Sequence, residues 1–140
     1  MIFVPFTFKD HGAWVKELID PVFCEDTKGI VAVKDGEPIG VMLLDQWTET
    51  SVQCHIGIVN PICLRRMPYE FCNYVFNTCG RKILIGLTPA DNKKAMRLNE
   101  HLGFKEVMRM KDAYKQGVDY VMYLMDKTTC KYITQINKAA

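Results

Sequence analysis

His55 lies in the run SVQCHIGIV, residues 51–59. Imidazole ordinarily changes charge near neutral pH, so a histidine facing a cleft suits a general base. The same ring under a helix would be structural, and both readings fit. Asn92 and Asn99 stand in the run DNKKAMRLNEHLGF, spaced to share one face of a helix. Carboxamides carry donors and acceptors together, so each can hydrogen-bond in both senses. Asn92 also suits a plain N-cap after Pro89, and the two roles are compatible. Arg65 and Arg66 are adjacent in NPICLRRMPYE, where guanidinium groups suit phosphate or simply solvent. Glu49, Tyr120 and Tyr123 are weaker candidates for a base.

The six cysteines, Cys24, Cys54, Cys63, Cys72, Cys79 and Cys130, form no C-x-x-C pair. Several fall inside apolar patterns, as small reduced buried thiols do. Zinc through Cys54, His55 and Cys63 would need four ligands gathered without paired spacing, so no metal site is expected.

The elements that must position these residues follow from periodicity. IFVPFT opens the chain as a short strand, and DHGAWVKELI reads as a helix with Asp10 as its N-cap and Trp14, Leu18 and Ile19 on one face. Two apolar, β-branched runs flank Asp35-Gly36, a strong hairpin signal. The third strand, 51–59, alternates: Val52, Cys54, Ile56 and Ile58 on one face, Gln53, His55, Gly57 and Val59 on the other. Gly57 inside it marks a bulge, a close approach or a twist point. Phe71, Cys72, Val75, Phe76 and Cys79 then recur at helical spacing, with Pro68 in the first turn and Gly80 beyond the end. KILIGL is a buried strand. Residues 91–102 form an amphipathic helix with Ala95, Leu98 and Leu102 along one stripe. FKEVMRMKDAY and VDYVMYLMD close the pattern as strands around Gln116-Gly117. The crossover from 51–59 to KILIGL makes those two strands parallel in a mixed α/β fold.

The chain has 140 residues, which suits one domain over 1–140 with its core in about 2–126 and no assignment for the tail. With 49% hydrophobic and 24% charged residues it has the composition of a globular protein. A net charge of +2 gives no case for nucleic acid or an anionic membrane surface. No apolar run reaches the roughly 18 residues of a membrane span, and no signal peptide is evident, so a cytoplasmic location is expected.

The segment Asn92 to Phe104, with Asn92, Ala95, Leu98, Leu102, Gly103 and Phe104 in place, resembles the N-x-x-A-x-x-L-Y-x-x-x-G-F signature of the GNAT N-acetyltransferases. DAYKQGVDYVMYLMD resembles their closing hairpin. The order of elements over 2–126 agrees, and compact members encoded by tailed bacteriophages look most similar, down to their C-x-x-R region and cysteine-containing tail. The resemblance implies the acyl-CoA N-acyltransferase fold: a central mixed sheet of six to seven strands, flanked by helices, whose central parallel strands splay apart. It implies acetyl-CoA as co-substrate, held by backbone groups of Gly57, Ile58 and Val59 and by Asn92 and Ala95, with a backbone N–H near Val59 polarising the thioester carbonyl. His55 becomes the base that frees an amine: a protein N-terminus, a lysine or a small amine, on a host protein if the chain is phage-encoded. In that case the location is the host cytoplasm. The protein is expected to be a monomer or homodimer.

Two departures stand out. The phosphate loop has no glycine, leaving Arg65 and Arg66 as the phosphate ligands. Position 99 is Asn where many members carry Tyr, the acid that reprotonates the thiolate. Asn99 has no proton to give, although its amide could bond the thioester or a water. Both departures keep a second expectation open: a catalytically silent binding protein of the same fold, engaging a host factor.

Overall fold

The computed structural model describes residues 1–133. Its elements run β1 (Ile2–Pro5), α1 (Phe8–Ile19), β2 (Lys28–Lys34), β3 (Glu37–Asp45), β4 (Ser51–Ile58), a 3-10 turn (Pro61–Arg65), α2 (Met67–Cys72) leading into a π turn (Asn73–Thr78), β5 (Ile83–Pro89), α3 (Lys93–Leu102), β6 (Lys105–Lys115) and β7 (Val118–Asp126). The seven strands form one mixed sheet in the order β1-β2-β3-β4-β5-β7-β6. The expected mixed α/β sheet, with β4 and β5 parallel, is what the chain forms. Of the tail that sequence left unassigned, 127–133 are described and 134–140 lie outside the described residues.

Local chemistry explains most boundaries. Asp35 and Gly36 take positive φ, 52° and 80°, as a tight hairpin between β2 and β3 requires. Thr7 rather than Asp10 caps α1: its side chain accepts from the Asp10 N–H, and Asp10 sits inside the first turn. The helix expected from Pro68 to Cys79 changes pitch after Cys72, and the Cys79 N–H donates to Tyr74 O at 2.8 Å. Its apolar face survives the change, because Phe71, Cys72, Val75 and Phe76 are all buried. Asn92 caps α3, its Oδ1 accepting from the Ala95 N–H at 3.1 Å, and Gly103 ends it at φ 99°. Met96, missing from the expected stripe, is buried there with Leu102.

Helices cover both faces. One face of the sheet carries α2, α3 and the larger core, including Val52, Cys54, Leu84, Val121 and Tyr123. Cys130 and Ile133 of the tail join that core. The other face carries α1 over a smaller cluster of Val15, Val31, Val41 and Leu43, with Leu18 and Ile19 packed against it. Among the described residues no helix is long and apolar enough to cross a membrane.

Candidate functional site

The parallel ladder between β4 and β5 is short. Ser51 pairs with Ile83, Val52 with Leu84 and Gln53 with Ile85, and there the pairing stops. Beyond it β4 stays bonded to β3 as far as Ile58, while β5 stays bonded to β7 as far as Pro89. The two strands therefore part at the centre of the sheet. A cleft of about 860 Å³ opens at the split, lined from both faces. Cys54, Ile56, Gly86 and Thr88 approach it from the α2–α3 side. Gln53 and His55 approach it from the α1 side, with Glu17, Asp20, Tyr114 and Tyr120. The gap thus passes through the sheet.

His55 occupies the face expected from alternation and is held there by a group that sequence reading missed. Its Nε2 lies 2.9 Å from Asp45 Oδ2 and 3.0 Å from Oδ1. The side chain of Asp45 is only 6% exposed, against 35% for His55. A buried carboxylate accepts hydrogen bonds, so Nε2 carries the proton and donates. Nδ1 is left as the acceptor. The clue to Asp45 was faint: an acid ending the apolar strand EPIGVMLLD, two positions diagonal from His55 in the β3–β4 register that pairs Leu43 with His55.

Asn92, Ala95 and Asn99 line the cleft together along one side of α3. Asn99 is already engaged: its Nδ2 donates to Thr88 Oγ1 at 2.9 Å. Thr88, another residue sequence reading missed, is 6% exposed.

The backbone of β4 is placed differently from expectation. Its pairing with β3 is continuous from Gln53 to Ile58, so Gly57 is not a bulge. A Cβ there would lie 2.7 Å from Leu18 Cδ2 and 2.8 Å from Ile19 Cγ2, so Gly57 is the contact point of α1. The irregularity comes at the strand's end, where the Val59 and Asn60 N–H groups both donate to Ile39 O at 2.9 and 3.0 Å. Val59 N–H is therefore committed to β3 and is not free to polarise a carbonyl in the gap. On the opposite edge Thr50 O accepts from Lys82 N at 2.8 Å. By alternation, Ile56 and Ile58 turn their N–H and C=O groups toward the gap, as Cys54 does its C=O, and Gly57 turns its own toward β3.

Arg65 and Arg66 are exposed and outside the cleft lining. The Arg66 guanidinium lies 5.3 Å over the Phe3 ring of β1 and 4.0 Å from Glu70 Oε1, which draws it away from the gap. The loop before α2 closes on itself: Ile62 N–H donates to Asn60 Oδ1, Cys63 N–H to Asn60 O and Arg66 N–H to Cys63 O. No glycine-rich cradle of open N–H groups forms. Tyr123 is fully buried on the α2–α3 face, and Glu49 sits in the exposed turn before β4, so neither lines the cleft. Burial pushes the Cys54 thiol up to about 12, with the Asp45 charge adding to the effect, so Cys54 is a neutral core thiol beside the gap.

This sheet with its central split is the GNAT acetyltransferase fold. A protein from Desulfovibrio desulfuricans assigned to that family superposes with a TM-score of 0.64 at 22% identity, covering 71% of this chain and 69% of its own. The spermidine/spermine N-acetyltransferase SpeG of Vibrio cholerae gives 0.72 at 14% identity, over 91% and 92%. The protein yncA of Salmonella typhimurium, assigned as an acetyltransferase and solved with acetyl-CoA, gives 0.66 at 14%, over 90% and 94%. No protein-family model and no curated protein matches the chain by sequence.

Proposed function

We propose that the protein is an N-acetyltransferase that carries an acetyl group from acetyl-CoA to a primary amine, and that the split between β4 and β5 is where transfer occurs. The observation that carries this reading is the cleft through the sheet with an oriented imidazole at its edge. A gap bordered by unpaired strand groups accepts the amide-rich arm of a CoA thioester as an added strand, and Ile56, Ile58, Asn92 and Ala95 are placed to take part. Gly57 and Val59 serve by shaping β4 rather than by offering free groups. Nδ1 of His55 takes a proton from the incoming ammonium, directly or through a water, and the buried Asp45 steadies the imidazolium that results. The freed amine then attacks the thioester carbonyl, gives up a second proton, and CoA departs as the thiolate.

The acceptor side of the cleft carries Glu17, Asp20 and Asp45 and no Lys or Arg. In a molecule of net charge +2 that is a local reversal of sign, and it favours an acceptor that arrives as a cation. A lysine side chain, a protein N-terminus or a small amine such as the substrates named for SpeG all meet that requirement. Phosphate contacts fall to Arg65 and Arg66, the latter after its side chain swings from Phe3 and Glu70.

A silent binding protein is the second reading, favoured by the closed loop at 59–66. Calorimetry and thermal shift with acetyl-CoA and CoA separate the two. The enzyme reading expects saturable binding and a raised melting temperature, followed by acetylation of an amine panel. Absence of heat and of any shift at millimolar ligand would end it.

A further inference from the structure

Nε2 of His55 is turned to Asp45 on one side of the split, and the other side has its own paired polar device. Thr88 lies three residues beyond Ile85, the last β5 residue paired with β4. It shares the α2–α3 face with Leu84 and Gly86, opposite His55. Its Oγ1 accepts from Asn99 Nδ2 at 2.9 Å. An oxygen fixed as acceptor still has a hydrogen of its own, and among the described residues the Thr88 hydroxyl donates to none. The acceptors among the side chains lining that part of the cleft are the carboxamide oxygens of Asn92 and Asn99 and the neutral Cys54 thiol, and none of them receives the Thr88 hydrogen. The hydroxyl is thus held by Asn99 with its hydrogen undonated among the described residues, on the side of the gap away from the base.

We infer that the Thr88 hydroxyl is the hydrogen-bond donor to the sulfur of the departing CoA, and that Asn99 is its positioning residue. This rests on the acetyltransfer reading above. His55 first passes the ammonium's proton on to solvent; as the amine nitrogen then bonds to the acetyl carbon, its second proton goes to His55 Nδ1 and the C–S electron pair goes to sulfur. An aliphatic hydroxyl is a far weaker acid than a thiol, so Thr88 shares its hydrogen with the thiolate without losing it. The released thiolate takes its proton from solvent, and the imidazolium returns its own to solvent. The Asn99–Thr88 pair does by hydrogen bonding what a phenol at position 99 does by proton donation. It also explains why Asn is tolerated there: the amide N–H2 orients the hydroxyl and leaves the sulfur to it.

The test needs no acceptor. The full-length protein is saturated with CoA, and thiolate absorbance near 240 nm is titrated against pH, with desulfo-CoA complexes subtracting the protein's own thiols. A donor to the charged form lowers the thiol pKa. Bound CoA in the wild type should therefore show a thiolate fraction roughly tenfold larger, at pH values below the midpoint, than in Thr88→Val. Thr88→Ser should restore it, and Asn99→Ala should fall between, while CoA affinity stays within a few-fold throughout. An unchanged midpoint in Thr88→Val, or in Asn99→Ala should Thr88→Val not fold, overturns the assignment. Failure of CoA to bind the wild type at all refutes the acetyltransfer reading instead, and the inference with it.

Discussion

Nε2 of His55 faces a carboxylate that water barely reaches, and this divides the labour of the ring. Asp45 fixes the tautomer, and Nδ1 is left for the substrate. Under the proposed function, His55→Gln should lower turnover about 100-fold or more with little change in acetyl-CoA affinity. Asp45→Asn should lower turnover on the order of 100-fold with the ring still present, because a carboxamide can hold the imidazole in the wrong tautomer. Steady-state rates with any accepted amine, beside calorimetric affinities, check both. Wild-type turnover in His55→Gln would leave a water or an already neutral amine to do the work. At this scale the sequence was only half readable. Imidazole and the two asparagines announced themselves by type and spacing. Asp45 and Thr88 did not, since an acid closing an apolar strand and a threonine in a buried one have ordinary uses. Only the strand register shows what each of them faces.

At the scale of elements, one glycine decides how α1 sits. With 2.7 and 2.8 Å separating a Cβ at position 57 from side-chain atoms of Leu18 and Ile19, Gly57→Ala forces those side chains to repack against β4. The expected cost is about 1–3 kcal/mol, read as a shift in urea midpoint, and Leu18→Ala in the same chain should recover part of it. No recovery would mean that the strain lies elsewhere. Where the chain leaves β7, Asp126 Oδ1 accepts from the Thr128 hydroxyl at 2.7 Å and from the Thr128 N–H at 2.8 Å. These bonds, the hydroxyl first, hold the Asp126 carboxyl below its ordinary range. A depressed folded pKa stabilises the fold above the unfolded value and loses that contribution as pH falls through the folded one. Thr128→Ala should therefore be less stable than wild type at pH 7, with the gap closing below about pH 4. A gap independent of pH would assign the loss to the backbone turn alone. The hairpins, the crossover and the caps at Asn92 and Gly103 were readable because turn residues and apolar period agree there. The π turn after Cys72 was not, since the change of pitch keeps Phe71, Cys72, Val75 and Phe76 buried and leaves only Cys79, at its end, partly exposed.

Over the whole molecule, charge is arranged against its average. A chain of net charge +2 turns Glu17, Asp20 and Asp45 into the cleft at the split and keeps Lys and Arg out of its lining. Composition alone reported the average and so could not show the sign of the site. The split between β4 and β5 carries a mechanical meaning as well. Three residue pairs join the two strands, so the sheet is two panels, β1 to β4 and β5 to β6, hinged along one short seam. Amides of Ile56 and Ile58 face the seam beyond the last paired rung and have no strand to bond. They should exchange with deuterium faster than those of Gly57 or His55, which face β3. A ligand laid into the seam becomes the missing strand, and acetyl-CoA should slow exchange at those two positions first. The two panels would then open together rather than apart, so the co-substrate would act as a structural member of the sheet for as long as it stays bound.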